Sequence, residues 1–96
     1  MAYRLTYHPD VKKIDLPSID ARNRTIVKRA IEERLTEHPE VFGKPLLRTL
    51  KGYWKLRVGD YRVVFKISAN EVIILGIAHR KRIYRDMARR EKNREA

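Results

Sequence analysis

Three segments in the second half of the chain alternate between apolar and polar residues, as strands with one buried face do. The segments are 53–58, 61–67 and 71–79, separated only by the turn Gly59–Asp60 and the loop "SAN". Connections this short join antiparallel neighbours. We therefore predict two consecutive β-hairpins, with the most apolar strand, 71–79, at the centre of the sheet.

The first half of the chain predicts one strand and two helices. Residues 3–7 alternate as a strand, and "PDVKKID" predicts a short helix that ends before Pro17. Apolar residues then recur at helical spacing, which predicts a second helix that is capped by Ser18 or Asp20 and runs to about Glu37. Its predicted apolar stripe is Ile19, Ile26, Val27, Ala30, Ile31 and Leu35.

The predicted fold class is α+β, with the element order β-α-α-β-β-β in one domain over residues 1–96. We expect a twisted, mainly antiparallel sheet with the N-terminal helical hairpin on one face. A basic C-terminal tail follows the last strand and can form a short helix from Tyr84. The other face of the sheet is then open as a binding surface.

Composition narrows the possible classes of function. No apolar run reaches the roughly 20 residues of a membrane helix, and the N-terminus has no signal-peptide core, so we expect a cytoplasmic protein with no membrane partner. The absence of cysteine excludes disulfides, thiol catalysis and sulfur-ligated metals, and the histidines lie at no metal-ligand spacing. We expect neither a metal nor a cofactor.

The charge balance points to the kind of partner. The chain has 23 Lys and Arg against 12 Asp and Glu, a formal net charge of +11, and a pI near 10.4. A domain of this charge attracts polyanions by counterion release. We therefore expect nucleic acid or a strongly acidic protein as a partner.

The first predicted hairpin places positive side chains on one face. Alternation puts four cations on the side opposite the core. They are Lys55, Arg57, Arg62 and Lys66. Like charges opposite one another destabilise a sheet, so the fold alone does not require this arrangement.

The end of the last predicted strand brings more polar side chains to the same place. Because the "SAN" loop makes this strand an antiparallel neighbour of the one before, its far end lies beside Arg62. The side chains delivered there are His79, Arg80, Lys81, Arg82 and then Tyr84.

Such a group suits a phosphodiester. Guanidiniums bind phosphate oxygens and stabilise the extra negative charge of a pentacoordinate transition state, and a tyrosine ring can stack on an unpaired base. RNA supplies its own nucleophile, the 2′-hydroxyl, so neither a metal nor a nucleophilic side chain is required. The pattern alone leaves two hypotheses open: a surface that only docks on nucleic acid or an acidic protein, which it favours, and RNA cleavage.

The segments "LKGYWKLRVGDYRVVFKI" and "VIILGIAHRKRIYR" resemble the RelE branch of the RelE/ParE superfamily, the toxins of type II toxin–antitoxin modules. The resemblance covers essentially the whole chain and includes the element order. It implies a ribosome-dependent mRNA endonuclease (an mRNA interferase) that cuts codons in the A site by 2′-hydroxyl attack, without a metal, and so inhibits translation.

The resemblance also implies roles for four residues. Lys55 matches a basic residue that positions or activates the nucleophile, and Arg62 matches the arginine that contacts the scissile phosphate. Arg80 matches the strand-end arginine that stabilises charge or protonates the leaving group, although Arg82 competes for that place. Tyr84 matches the tyrosine that stacks on or orients the substrate. Further RNA contacts are predicted at Arg57, Lys66, His79, Lys81 and Arg82.

The partners that the resemblance implies are mRNA in the ribosomal A site, rRNA and a cognate antitoxin. We expect the free toxin to be a monomer and the neutralised toxin to be a hetero-oligomer with its antitoxin. Two alternatives remain at this point: an inhibitor of DNA gyrase like the ParE branch, and a nucleic-acid-binding module without catalytic activity. Tyr53 stands where some members of the RelE branch have a second lysine, so the general base is not assigned.

Overall fold

The computed structural model describes residues 2–94. The described chain starts with a strand, which is followed by two short helical turns, a long helix, a short helix and a two-residue strand. The two hairpins and a C-terminal helix come after these elements. The elements are β1 (Arg4–Tyr7), α1 (Ala21–Arg34), α2 (Pro39–Phe42), β2 (Lys44–Pro45), β3 (Trp54–Val58), β4 (Tyr61–Ser68), β5 (Glu71–His79) and α3 (Ile83–Arg94). The helical turns Val11–Asp15 (π) and Leu16–Ser18 (3₁₀) lie between β1 and α1.

Within residues 2–94 the strands form one sheet in the order β1-β5-β4-β3-β2. The β3–β4 and β4–β5 pairs are antiparallel hairpins, as the short turns predicted, and β2 is also antiparallel to β3. β1 pairs with β5 in parallel. The α+β fold class and the mainly antiparallel sheet are thus confirmed.

The helical face of the sheet carries the larger core. Asp20 is the N-cap of α1. Its carboxylate accepts the backbone N–H of Asn23 at 3.2 Å and so satisfies one free donor of the first turn. Val27, Ala30 and Ile31 are buried against the sheet. Ile26, predicted in the same stripe, is 47% exposed, so the buried stripe is narrower than the spacing indicated.

The predicted short helix is instead the pair of helical turns. The first turn ends at Asp15, before Pro17 as predicted, and Pro17 lies inside the second turn, which was not predicted. A proline is accepted there because the first residues of a helical turn need no N–H donor for an internal hydrogen bond. α1 ends at Arg34, before the predicted Glu37.

The second face of the sheet is only partly open, because the C-terminal segment is a helix packed upon it. Ile83 and Met87 of α3 are buried in a second core cluster with Val64, Leu75 and Ala78 of the sheet. A Cβ on Gly76 would overlap the sulfur of Met87, so a residue without a side chain is needed where α3 crosses β5. The C-terminal segment, which was predicted as a basic tail, is therefore a helix that contributes to the core.

A β-bulge in β5 changes which side chains share a face. Val64 pairs with Gly76 and Phe65 pairs with Ile74, so Leu75 is the extra residue. The bulge reverses the alternation of the residues after it. His79 consequently pairs with Tyr61 and lies on the helical face.

Candidate functional site

Two pairs of like charges face each other across adjacent strands on the second face. Lys44 of β2 is the direct partner of Lys55 of β3, and Arg57 of β3 is the direct partner of Arg62 of β4. These four side chains and Phe42 line a cleft of about 190 Å³. Among the described residues that line it, none is acidic. The repulsion therefore persists in the free protein, and an anion that enters the cleft relieves it.

Lys55 and Tyr84 face each other at the edge of this cleft. The Lys55 Nζ lies 5.7 Å from the centre of the Tyr84 ring, within the range of a cation–π contact. Both side chains are half-buried, and Tyr84 packs against the second core cluster from the first turn of α3. The ring thus lies beside one of the cations that line the cleft, although Tyr84 is not itself part of the lining.

Arg62 and Arg80 are both attached to the turn Gly59–Asp60. The Arg62 Nη1 donates to the carbonyl oxygens of Gly59 and Tyr61, each at 2.9 Å. Arg80 donates its backbone N–H to the Asp60 carbonyl at 2.8 Å, and its Nε lies 3.7 Å from the Asp60 carboxylate. Both side chains of the Arg80–Asp60 pair are well exposed, so this contact is weak. The turn therefore holds Arg62 of β4 and Arg80, which directly follows β5, at one end of the sheet.

The other residues predicted to bind RNA do not all lie near the cleft. Arg57 is exposed in the cleft, and the Lys66 Nζ lies 5.7 Å from the Tyr53 ring on the same face. Lys81 is exposed, and its backbone N–H donates to the His79 Nδ1 at 3.2 Å. Arg82 instead borders a larger cleft between α3 and the helical turns. His79, on the helical face against Tyr61, does not join Arg62.

A buried ion pair on the far side of α3 was not predicted. The Arg90 Nη1 and Nη2 bind the two oxygens of Asp15 at 2.7 and 3.0 Å. The same Asp15 carboxylate accepts the Ile77 N–H at 2.8 Å, and Arg90 donates to the Leu75 carbonyl at 3.0 Å. β1 pairs with β5 only as far as Ile74, so the ion pair satisfies the edge of β5 where β1 has ended.

Burial and the contact with Asp15 act in opposite directions on the pKa of Arg90. Desolvation by itself lowers the pKa of Arg90, but the hydrogen bonds and negative charge of Asp15 outweigh it and raise the pKa above the ordinary value. Arg90 also lies 3.7 Å from the carboxylate of Asp10. The guanidinium is therefore charged at every pH at which the protein is folded.

Sequence reasoning missed Lys44, Phe42, Asp15 and Arg90. Lys44 lies in a two-residue strand, which is too short to show alternation. Asp15 is the one acidic residue of the short helical segment 11–15, but nothing in the local sequence points to its partner Arg90. Within residues 2–94, no three His, Cys, Asp or Glu side chains are grouped to hold a metal. No helix in that part of the chain has the length and apolar character to span a bilayer.

Comparison with known sequences places the chain beside toxins. The family model described as ParE toxin of type II toxin-antitoxin system, parDE, matches residues 5–84. Toxin RelE3 of Methanocaldococcus jannaschii is 30% identical over 73 residues, which are 73% of this chain and 83% of RelE3. Toxin RelG of Mycobacterium tuberculosis is 42% identical over 53 residues, which are 53% of this chain and 61% of RelG. That alignment thus spans less than two thirds of RelG.

Solved structures show the same fold. The toxin–antitoxin complex RelBE2 of Mycobacterium tuberculosis contains a chain that is 28% identical, with a TM-score of 0.76, covering 82% of this chain and 99% of that one. A mutant of the Escherichia coli toxin RelE in the free state is 23% identical, with a TM-score of 0.68, covering 94% of this chain and 98% of that one. The second likeness concerns the fold alone.

Proposed function

We propose that this chain, which belongs to the RelE/ParE superfamily of type II toxin–antitoxin toxins, is a ribosome-dependent endoribonuclease. It cleaves mRNA in the A site by attack of a 2′-hydroxyl on the adjacent phosphodiester, without a metal, and so inhibits translation. The observation that carries this proposal is the cleft lined by Lys44, Lys55, Arg57 and Arg62, with the Tyr84 ring against Lys55. A phosphodiester supplies the negative charge that the fold does not provide there.

Two residues of the cleft, Lys55 and Arg62, and two residues outside its lining, Arg80 and Tyr84, divide the work of the reaction. The 2′-oxygen attacks phosphorus, the bond to the 5′-oxygen breaks, and a 2′,3′-cyclic phosphate forms. Lys55 positions or deprotonates the 2′-hydroxyl, and Arg62 binds the scissile phosphate and stabilises its developing charge. The leaving 5′-oxygen takes up a proton, or has its charge stabilised, at Arg80. Tyr84 stacks on a base that the ribosome presents unpaired.

The position of Arg80 supports it over Arg82 as the strand-end arginine. Arg80 and Arg62 are attached to the same turn, whereas Arg82 borders the cleft on the other flank of α3. The Asp60 contact of Arg80 is exposed, so an RNA phosphate can replace it at low cost. Arg57, Lys66 and Lys81 then serve as further phosphate contacts.

The two branches of the superfamily make different predictions for this chain. The matching family model is that of the ParE toxin, while the similar toxins RelE3 and RelG bear RelE-type names. A gyrase inhibitor needs no cluster of cations beside an aromatic ring. The charged cleft therefore supports the nuclease, and inhibition of gyrase is the second candidate.

A cognate antitoxin is the proposed protein partner. The RelBE2 structure of M. tuberculosis and the RelB–RelE structure of Methanococcus jannaschii are both toxin–antitoxin complexes. The net charge of +11 favours an antitoxin with an acidic segment that competes with RNA for the same face. The free toxin is proposed to be a cytoplasmic monomer.

Primer extension on cellular mRNA after induction of the toxin tests the activity. Wild type is compared with Arg62→Ala and Arg80→Ala, and with Arg29→Ala as a control on the exposed side of α1. We expect new cleavage sites with wild type and the control, and their loss in the two site variants. Arg82→Ala, which is expected to retain cleavage, tests the choice of Arg80. Gyrase-dependent DNA damage without RNA cleavage would instead support the second candidate.

A further inference from the structure

Helix α3 presents different side chains to the sheet on its two flanks. At about 100° of rotation per residue, Arg90 and Tyr84 project about 120° apart around the helix axis. Ile83 and Met87 lie between them and are buried against the sheet. The strand order β1-β5-β4-β3 places the Arg90 flank at the outer edge of β5 and the Tyr84 flank toward β3.

The Arg90 flank is held by groups that are almost fully buried. The side chains of Arg90 and Asp15 are 11% and 6% exposed, and two parallel hydrogen bonds join them. A bidentate guanidinium–carboxylate pair fixes angle as well as distance, unlike the point charge of a lysine. Because Asp15 is itself bound to the Ile77 N–H, this flank of α3 is fixed relative to the backbone of β5.

The other flank carries the contacts with the candidate site. Tyr53 donates its hydroxyl to the Glu91 Oε1 at 2.8 Å, and Tyr84 lies against Lys55. The turn of residues 80–82 fixes where α3 begins. The rotation of the helix about its own axis is then determined by the contacts that α3 makes along its length.

We infer that Asp15 and Arg90 are positioning residues, a buried pair that sets the rotation of α3 and thereby places the Tyr84 ring against Lys55. Neither residue lines the cleft that contains Lys55. Their effect on RNA cleavage rests on the proposed function, whereas their effect on the Tyr84–Lys55 contact does not.

The Tyr84–Lys55 contact can be measured directly by NMR. At 5.7 Å from the ring centre to Nζ, the ring current of Tyr84 shifts the resonances of the Lys55 ε-methylene protons, and Tyr84→Ala gives the value without it. In Arg90→Met we expect these resonances to move at least half of the way to the Tyr84→Ala value. Arg89→Met, which removes an exposed arginine from the same helix, is the matched control and is expected to leave them unchanged.

Loss of a buried partner can also unfold the protein, so a milder variant accompanies the first. Arg90→Lys keeps the charge beside Asp15 but cannot form both hydrogen bonds, and we expect it to fold and to shift the Lys55 resonances partway. Circular dichroism identifies the variants that are folded. A folded Arg90→Met or Arg90→Lys that retains the wild-type Lys55 resonances overturns the inference.

Cleavage of mRNA on programmed ribosomes gives the functional readout. We expect Arg90→Lys to lower the single-turnover rate at saturating ribosomes on the order of 10-fold, with little change in ribosome affinity, because the cations of the cleft are intact. Equal rates for wild type and Arg90→Lys would contradict the catalytic part of the inference. If wild type itself does not cleave, the proposed function fails, and the NMR comparison still decides whether the pair positions Tyr84.

Discussion

Arg57 and Arg62 are direct cross-strand partners at the end of the β3–β4 hairpin, two positive charges in a position where opposite charges would stabilise the sheet. Arg62 turns its Nη1 toward the carbonyl oxygens of Gly59 and Tyr61, and Arg57 remains exposed. The hairpin thus retains an electrostatic repulsion between two arginines that an acidic residue at either position would remove. Under the proposed function, this repulsion is the cost in stability of a surface that binds an anion.

The first prediction concerns Arg57→Glu, which converts the repulsive pair into an attractive one. We expect the free energy of unfolding to rise by roughly 0.2–1 kcal/mol at low salt, and the gain to shrink as salt screens the pair. RNA cleavage is expected to fall at the same time. Urea denaturation at two salt concentrations measures the first effect. Lys51→Glu, the same charge change in an exposed loop, serves as control, and a less stable Arg57→Glu would contradict the prediction.

The second prediction separates the ring of Tyr84 from its hydroxyl. If the ring stacks on a base, Tyr84→Phe keeps most of the activity, whereas Tyr84→Ala loses the roughly 1–3 kcal/mol of a stacked base, or about 5- to 150-fold in cleavage rate. Single-turnover cleavage on ribosomes measures both. A loss as large in Phe as in Ala would assign the role to the hydroxyl.

The third prediction concerns the contact between Gly76 and Met87. Gly76→Ala places a methyl group where the Met87 sulfur and the Arg90 guanidinium lie, and we expect a loss of about 1–3 kcal/mol in the free energy of unfolding. Met87→Ala opens that space. In a double-mutant cycle the two changes together are expected to cost less than the sum of the single changes. Additive costs would show that Met87 does not limit the space above Gly76.

The fourth prediction concerns the cap of α1. The hydrogen bonds from the Asn23 side chain and then from its backbone N–H lower the pKa of the Asp20 carboxyl. A lowered folded-state pKa contributes stability above the ordinary pKa of about 4, and this contribution is lost as the pH falls through the folded-state value. Asp20→Ala is therefore expected to lower the melting temperature by about a few degrees at pH 7, and by less in acid.

Asp20→Asn is the control for this cap, because its amide oxygen can still accept the backbone N–H of Asn23 and the side chain does not titrate. Its difference from Asp20→Ala should be nearly independent of pH. Thermal melts of the three proteins between pH 2 and pH 7 distinguish these cases. A difference between wild type and Asp20→Ala that stays constant over that range would count against the charged cap.

The hairpins and the charged face could be predicted because both depend on local pattern. Turns as short as Gly59–Asp60 permit only an antiparallel neighbour, and strict alternation over 53–58 assigns Lys55 and Arg57 to one face. The structure confirms the strand pairing and places Lys55, Arg57 and Arg62 in one cleft. Their roles in catalysis remain predictions.

The elements that escaped prediction depend on contacts distant in sequence. The bulge at Leu75 reverses the alternation of β5, so His79 lies on the opposite face from Arg62. The charged residues of α3 hide the short apolar pair Ile83 and Met87, which is sufficient to dock the helix because Gly76 admits a close approach. Asp15 and Arg90 are 75 positions apart, and no local pattern joins them.

The short strand β2 has a consequence for how the protein behaves at high concentration. An exposed sheet edge with free N–H and C=O groups is a template on which another chain can add a strand. This edge consists of Lys44 and Pro45, both exposed, so it presents a charge and a residue without an N–H donor. The sheet is thereby protected on its β2 side against growth into aggregates. Under the proposed function, the same lysine that repels a second copy of the chain also attracts an RNA phosphate.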